Sequence, residues 1–288
     1  MANPILVTGA TGNVGTEVVK ALLKAGQPVR AAVRDVAKAQ GQFSEGVIVE
    51  YIQFDFKKPT TFEPAFRDVK RLFLMRPPAI SNARRDILPA IQAAKRAGVE
   101  QIVFLSLLGA ENNKIVPHHK IEKLLQQSGI AWTFLRCGFF MQNLDTSQRQ
   151  DIRENNDLFV PAGRGKTSFI DVRDIGAVAV LALTQNGHTN KAYDLTGSEA
   201  LDYYQVAEIF TRVLGRQIAY SKPSVVRFFW RWWRTRKNPL AFTLVMTILY
   251  LTVAMGRDGK VSPQLHKLLG RPPFTMSQYV EDYKQLWQ

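Results

Sequence analysis

Val7-Thr8-Gly9-Ala10-Thr11-Gly12-Asn13-Val14-Gly15 lies between an apolar run at residues 5–8 and a stretch of helical period at 14–25. Three glycines spaced this way between a strand and a helix suit a phosphate-binding turn. Gly9 allows the sharp turn, Gly12 has no side chain to obstruct a pyrophosphate, and Gly15 lets the helix pack close to the strand. The helix start adds N–H groups and a partial positive charge. Thr11, Asn13 and Val14 complete the loop. Its first interval is one residue longer than in the G-x-G-x-x-G fingerprint, so the triplet draws its meaning from the elements on either side.

The same alternation continues outward. Strands are expected at 5–8, 29–33, 47–54, 71–75, 101–105 and 131–135, with helical patterns at 14–25, 80–97 and 120–127 between them. Gly26, Gly98 and Gly129 fall where those helices should stop. Nearly all the strand candidates are apolar throughout, which argues for a parallel sheet covered on both faces. The expected fold is α/β, a Rossmann-type doubly wound sheet over residues 1–150. Residues 151–288 should supply the remaining sheet elements and a smaller, mainly helical lobe. In that part a strand is expected at 169–172, a helix at 174–184, a strand at 192–195 and a helix at 201–214.

The second strand ends Val33-Arg34-Asp35. A carboxylate here usually reads the ribose 2′-OH of NAD, whereas an arginine accommodates the 2′-phosphate of NADP. Arg34, with Lys38 near enough to assist, therefore favours NADP(H) over NAD(H). Asp55 and Phe56 at the end of the third strand are candidates for the adenine edge. Arg76 and Pro77 after the fourth strand, and Ser106 after the fifth, should line the cofactor crevice at the carboxyl edge of the sheet. Leu107, Phe139, Phe140 and Asn143 are candidates for the substrate pocket, though each could equally be packing.

Hydrophobic residues at 46% and charged residues at 22% are ordinary for a globular chain. A single cysteine, Cys137, excludes an internal disulfide framework, and its apolar surroundings suit a buried thiol. The start, Met1-Ala2-Asn3-Pro4, lacks the features of a signal peptide, so a cytoplasmic location is expected. The net charge of +14 is local: between Ile209 and Arg257 nine Lys or Arg residues meet no Asp or Glu. A nucleic-acid footprint over the whole surface is therefore not expected.

The glycine loop, Val33-Arg34-Asp35 and Gly129-Ile130-Ala131-Trp132-Thr133-Phe134-Leu135-Arg136 together resemble the NmrA-like branch of the atypical short-chain dehydrogenases. Phe139-Phe140-Met141-Gln142-Asn143 and Ala192-Tyr193-Asp194-Leu195-Thr196-Gly197 extend the likeness over about the first 215 residues. That branch includes NADPH-dependent quinone and triphenylmethane-dye reductases as well as non-catalytic redox sensors. Ordinary short-chain dehydrogenases use a Tyr-x-x-x-Lys pair, yet no tyrosine occurs between Tyr51 and Tyr193.

That segment carries Pro117-His118-His119-Lys120-Ile121-Glu122 instead. His118 and Glu122 share a helix face, and a histidine at a helix start can exchange a proton near neutral pH. In the quinone- and dye-reductase relatives a histidine four residues before a glutamate stands at this place, so the resemblance puts His118 beside a reducible carbonyl. The other reading, that His118 only shapes the pocket, stays open. His118 and His119 diverge on a helix without a Cys or carboxylate cluster, so no metal is expected.

The segment 227–237 interleaves aromatics with Arg227, Arg231, Arg234, Arg236 and Lys237. The apolar run that follows at 240–255 is shorter than the roughly twenty residues a membrane span needs, and a buried helix is expected there. The basic segment reads as a pocket wall with its arginines outward, as a peripheral membrane contact, or as a protein contact. The function that fits best is an NADPH-dependent reductase of an apolar carbonyl compound such as a quinone. The rival is a non-catalytic NADP(H)-sensing regulator or assembly factor docking through the cationic lobe. A nucleotide-sugar epimerase is disfavoured because that chemistry normally relies on the missing tyrosine.

Overall fold

Residues 3–43 and 49–288 are described by the computed structural model. Among them a seven-stranded sheet runs in the order β3-β2-β1-β4-β5-β6-β7, every pairing parallel. The strands are β1 Ile5–Thr8, β2 Val29–Val33, β3 Val49–Gln53 and β4 Arg71–Leu74. β5 Gln101–Leu107, β6 Ala131–Cys137 and β7 Lys191–Leu195 complete it. Val47, where the third strand was expected to begin, lies outside the described residues.

The order reverses between β1 and β4, the switch point at which an open α/β sheet forms its ligand crevice. Side chains alternate between the two faces of the sheet. Leu6, Ala32, Phe54, Leu72, Ile102 and Phe134 all belong to one buried cluster. It is completed by four helices: α3 Phe62–Phe66, α4 Ala83–Asp86, α5 Leu88–Arg96 and α6 Pro117–Ser128 each contribute. The alternate positions Val7, Phe73 and Val103 are equally buried but lie outside that cluster. Their face is covered by α1 Asn13–Lys24 and by a helix later in the chain. α2 is the single turn Val36–Ala39 after β2.

The expected helix at 80–97 divides in two. Asn82 caps α4 by accepting from the Arg85 amide, and Pro89 occupies the first turn of α5. A proline lacks the N–H that a continuous helix would require there. Gly26, Gly98 and Gly129 do sit in the left-handed region after their helices.

After β6 the chain forms α7 Asn143–Ser147 and α8 Arg149–Asn155, then returns to the sheet with α9 Val172–Thr184 and β7. It accordingly groups into two compact units: Met1–Cys137 with Val172–Leu195, and Gly138–Asp171 with Thr196–Gln288. Residue 150, the expected division, falls inside the second unit. In the first unit α9 approaches α1 so closely that a Cβ on Gly176 would stand 2.9 Å from the Glu17 carbonyl oxygen.

The strand expected at 169–172 does not form. Ile170 makes one isolated bridge to Phe140, and Val172 already starts α9. The run is apolar because Phe169 and Ile170 are buried, and a short apolar run cannot distinguish strand from other buried backbone.

The second unit is largely helical: α10 Tyr203–Leu214, α11 Val225–Trp230, a π-helical turn at Arg231–Thr235, α12 Leu240–Ala254, α13 Gln264–Leu269 and α14 Met276–Asp282. Its core is rich in large rings, among them Phe210 edge-on to Trp287 at 5.0 Å and Phe228 against Trp232 at 4.7 Å. The helix expected to be buried at 240–255 is buried on one face only, since Leu244, Val245 and Ile248 are exposed.

Candidate cofactor and active site

The glycine loop follows β1 at the switch point. Gly9 has φ +63, and the Gly12 amide donates to the Gly9 carbonyl at 3.0 Å to close the turn. A Cβ on Gly9 would meet the Met75 methyl at 2.1 Å, and one on Gly15 would lie 2.0 Å from the Gly9 carbonyl oxygen. Gly12 caps α1 without a side-chain hydrogen bond, and the first turn carries no acidic residue. The leading amides of α1 therefore remain available to an anion. Thr11 and Asn13 are exposed, whereas Val14 is buried beneath the loop.

Neighbouring groups hold the loop in place. Thr8 Oγ1 donates to the Phe73 carbonyl at 3.2 Å and accepts from the Met75 amide at 2.8 Å, tying β1 to β4. Thr16 Oγ1 donates to the Ala10 carbonyl at 3.2 Å, and Gln42 Nε2 reaches Thr16 Oγ1 at 3.2 Å. Arg34 and Lys38 are exposed at the end of β2, with Asp35 spent on capping α2 through the Lys38 amide. These residues fit a dinucleotide: a glycine cradle that side chains would fill, a helix start without an acid, and an exposed cation where a 2′-phosphate would lie.

The other expected cofactor residues are held by their own neighbours. Asp55 Oδ1 accepts from the Lys57 amide at 2.9 Å, so it shapes its own turn. Phe56 is buried edge-on to Phe54 at 4.9 Å, leaving only its backbone for a ligand. Arg76 curls back on its loop, donating to the carbonyls of Pro77 at 2.9 Å and Pro78 at 3.0 Å, and to that of Ile80. Ser106 is buried, and its hydroxyl donates to Glu122 Oε1 at 2.6 Å.

His118 sits in the first turn of α6, with its ring 6.0 Å from that of buried Phe104. Burial, and then the Arg76 charge, lower its pKa to about 4. Burial thus favours the neutral imidazole in the folded chain. Its Nδ1 is buried with no hydrogen-bond partner among the described residues. Glu122 does not supply one, because its carboxylate grips Arg136 through Nε at 3.1 Å and Nη2 at 2.8 Å. His119 Nδ1 lies 2.8 Å from the Ala110 carbonyl, away from this site.

Leu107 ends β5, partly exposed. In the second unit Phe139 is edge-on to Phe169 at 5.7 Å, the Phe140 carbonyl accepts from the Asn143 amide at 3.1 Å, and Asn143 opens α7. The basic segment is arranged otherwise than expected. Arg231 and Arg236 turn inward and pair with the fully buried Asp151, Arg236 at 2.7 Å. Burial pushes the Asp151 carboxyl above its ordinary pKa, while Arg236 and Arg231 draw it back. Arg234 stays exposed, its guanidinium 4.3 Å from the Trp233 ring centre.

The sequence pattern of the NmrA-like family matches residues 1–231. The chain belongs to the NmrA-like family. It is 40% identical over 220 residues to an NAD(P)H azoreductase of Xenophilus azovorans, covering 75% of this chain and 76% of that one. It is 30% identical over 283 residues to quinone oxidoreductase 2 of Escherichia coli strain K12, covering 96% and 97%.

Two solved structures of NmrA-like type compare well. An E. coli NADPH-dependent quinone oxidoreductase complexed with NADPH has a TM-score of 0.85 at 29% identity, covering 96% of this chain and 99% of that one. The Citrobacter triphenylmethane reductase complexed with NADP(H) has a TM-score of 0.84 at 26% identity, covering 97% and 99%. The similarity thus continues past the first 215 residues, on which the motifs rest.

Several contributors in this NmrA-like chain escaped the sequence reading. Thr8 carries a readable signal, a hydroxyl on the last residue of an otherwise apolar strand. Arg136, a cation in an apolar strand, similarly announces a buried carboxylate partner. Gln42, Met75 and Asp151 carry none, because their partners are remote in sequence. Among the described residues no group of three or more His, Cys, Asp or Glu is arranged to hold a metal.

Proposed function

We propose that this protein is an NADPH-dependent reductase of apolar, aromatic carbonyl compounds such as quinones. The observation that carries this reading is the open start of α1 behind a glycine cradle, with Arg34 exposed at the tip of β2. Family membership supports it, as do relatives named as NAD(P)H azoreductase and quinone oxidoreductase. The cofactor, when bound, supplies the hydride.

The chain's own residues divide the remaining work. The loop at 9–15 holds the pyrophosphate, and Arg34, assisted by Lys38, selects the 2′-phosphate. The Asp55–Phe56 backbone borders the adenine. His118 stays neutral and, with its proton on Nδ1, offers a hydrogen bond to an acceptor that reaches this otherwise unpaired atom. It polarises and orients the acceptor without transferring a proton from an imidazolium.

A second reading is a protein that binds NADP(H) without turning it over. The missing Tyr-Lys pair and the low pKa of His118 favour it. Calorimetric titration with NADPH and NADH, for the protein and for Arg34→Ala, tests the shared cofactor site. NADPH affinity should fall about 10- to 100-fold in the variant, as for a lost charged hydrogen bond, while NADH affinity holds. Equal loss for both nucleotides, or binding of neither, would remove the basis for both readings. Quinone-dependent NADPH oxidation that His118→Ala lowers without weakening NADPH binding decides for the enzyme.

A further inference from the structure

We infer that the exposed face of α12 seats the protein on an anionic lipid surface, with the helix axis in the membrane plane. The inference does not depend on the reductase reading. A surface helix normally turns a polar face outward. Here the polarity is inverted.

The threonines point in, and their hydroxyls are satisfied within the helix: Thr243 Oγ1 donates to the Pro239 carbonyl at 3.2 Å and Thr247 Oγ1 to the Thr243 carbonyl at 2.7 Å. Tyr250 and Val253 are buried on the same side. Leu240, Leu244, Val245 and Ile248 point out, followed by Met255 just beyond the helix end. Val245 is 55% exposed, and Ile248 and Met255 are each 58% exposed. No charged residue interrupts Leu240–Ala254.

The geometry excludes a span. At about 1.5 Å per residue the helix is roughly 22 Å long, against a hydrocarbon core of about 30 Å. Among the described residues no helix is long and apolar enough to cross a membrane.

The charges select the occupant. Exposed Arg227, Arg234 and Lys237 precede α12 and exposed Arg257 follows it, with no Asp or Glu between Ile209 and Arg257. Arg234 lies over Trp233 and also 5.4 Å from the ring centre of Trp230, which is 57% exposed. Phe242, partly exposed at the start of α12, stacks on Trp232 at 5.8 Å and joins the two elements. A second copy docked about a two-fold axis would set like charges against like. A surface with phosphates at its edge and acyl chains beneath satisfies both the cations and the aliphatic side chains.

The test is flotation of the full-length protein with vesicles of phosphatidylcholine alone or mixed with phosphatidylglycerol. Partition into the anionic vesicles should exceed that into neutral ones by about tenfold or more and decline as salt is added. Leu244→Ser combined with Val245→Ser and Ile248→Ser should lower it by about tenfold or more. Circular-dichroism melting of that variant should match the parent, so that lost binding is not lost folding. Equal partition of variant and parent, or no preference for anionic lipid, would overturn the inference. So would a dimer in gel filtration that the triple substitution abolishes, which would give this face to a second copy.

Discussion

The glycine loop and the stretch from α11 through α12 both leave something open to their surroundings, and they do so in opposite ways. At residues 9–15 side chains have been removed, so that backbone N–H groups at the start of α1 stand free. Around α12 the backbone is satisfied within the helix and the aliphatic side chains stand free. The first arrangement suits a small anion held by geometry. The second suits a broad apolar surface and specifies no geometry at all. Fixed backbone is sensitive to a single methyl group, whereas the packing beneath the second surface rests on a few buried polar anchors.

The largest effect should come from the loop. Gly15→Ala forces a Cβ to 2.0 Å from the Gly9 carbonyl oxygen and must displace backbone. We expect a destabilisation of about 3 kcal/mol and roughly a hundredfold weaker NADPH binding, measured by melting and calorimetry. Retained affinity would mean that the loop is softer than its glycines imply, and the contrast would lapse.

Next comes the anchor of the basic segment. Asp151→Ala leaves Arg231 and Arg236 without their carboxylate, and the urea midpoint should fall by the equivalent of about 2–3 kcal/mol. A change below about 0.5 kcal/mol would mean that Phe228 and Trp232 hold the segment by packing alone.

At neutral pH the smallest effect concerns His118. Its pKa is lowered from 6.5 to about 4 in the folded chain, so below pH 6.5 the unfolded state binds the extra proton first. Stability should therefore fall as pH drops from 6.5 towards 4, by up to about 1.4 kcal/mol per pH unit. It should level off below that range. His118→Asn should remove this slope from the pH profile of denaturant unfolding. An unchanged slope would place the titration elsewhere.

The sheet was readable because its signals are local. β1 and β2 have the expected bounds, and Gly26, Gly98 and Gly129 stop their helices through their own backbone conformation. The cofactor loop was readable for the same reason. What escaped depends on remote partners. The Ser106 hydroxyl serves Glu122, sixteen residues later. Arg231 and Arg236 were expected to face outward, yet their partner Asp151 lies eighty residues before Arg231 in an unremarkable polar helix. At His118 burial adds to the preference of a helix start for the neutral imidazole.

The excursion of the chain after Cys137 bears on its synthesis. α9 and β7 belong to the first unit but are encoded after Gly138–Asp171. Until they emerge from the ribosome, α1 lacks the neighbour that approaches it at Gly176, and β6 presents an unpaired edge. A growing chain halted near residue 171 would carry a complete nucleotide loop on an unfinished sheet. Such an open edge invites pairing with another chain. Domain truncations at that point should aggregate, whereas the natural order of elements makes completion of the sheet wait on more than thirty residues of the other unit.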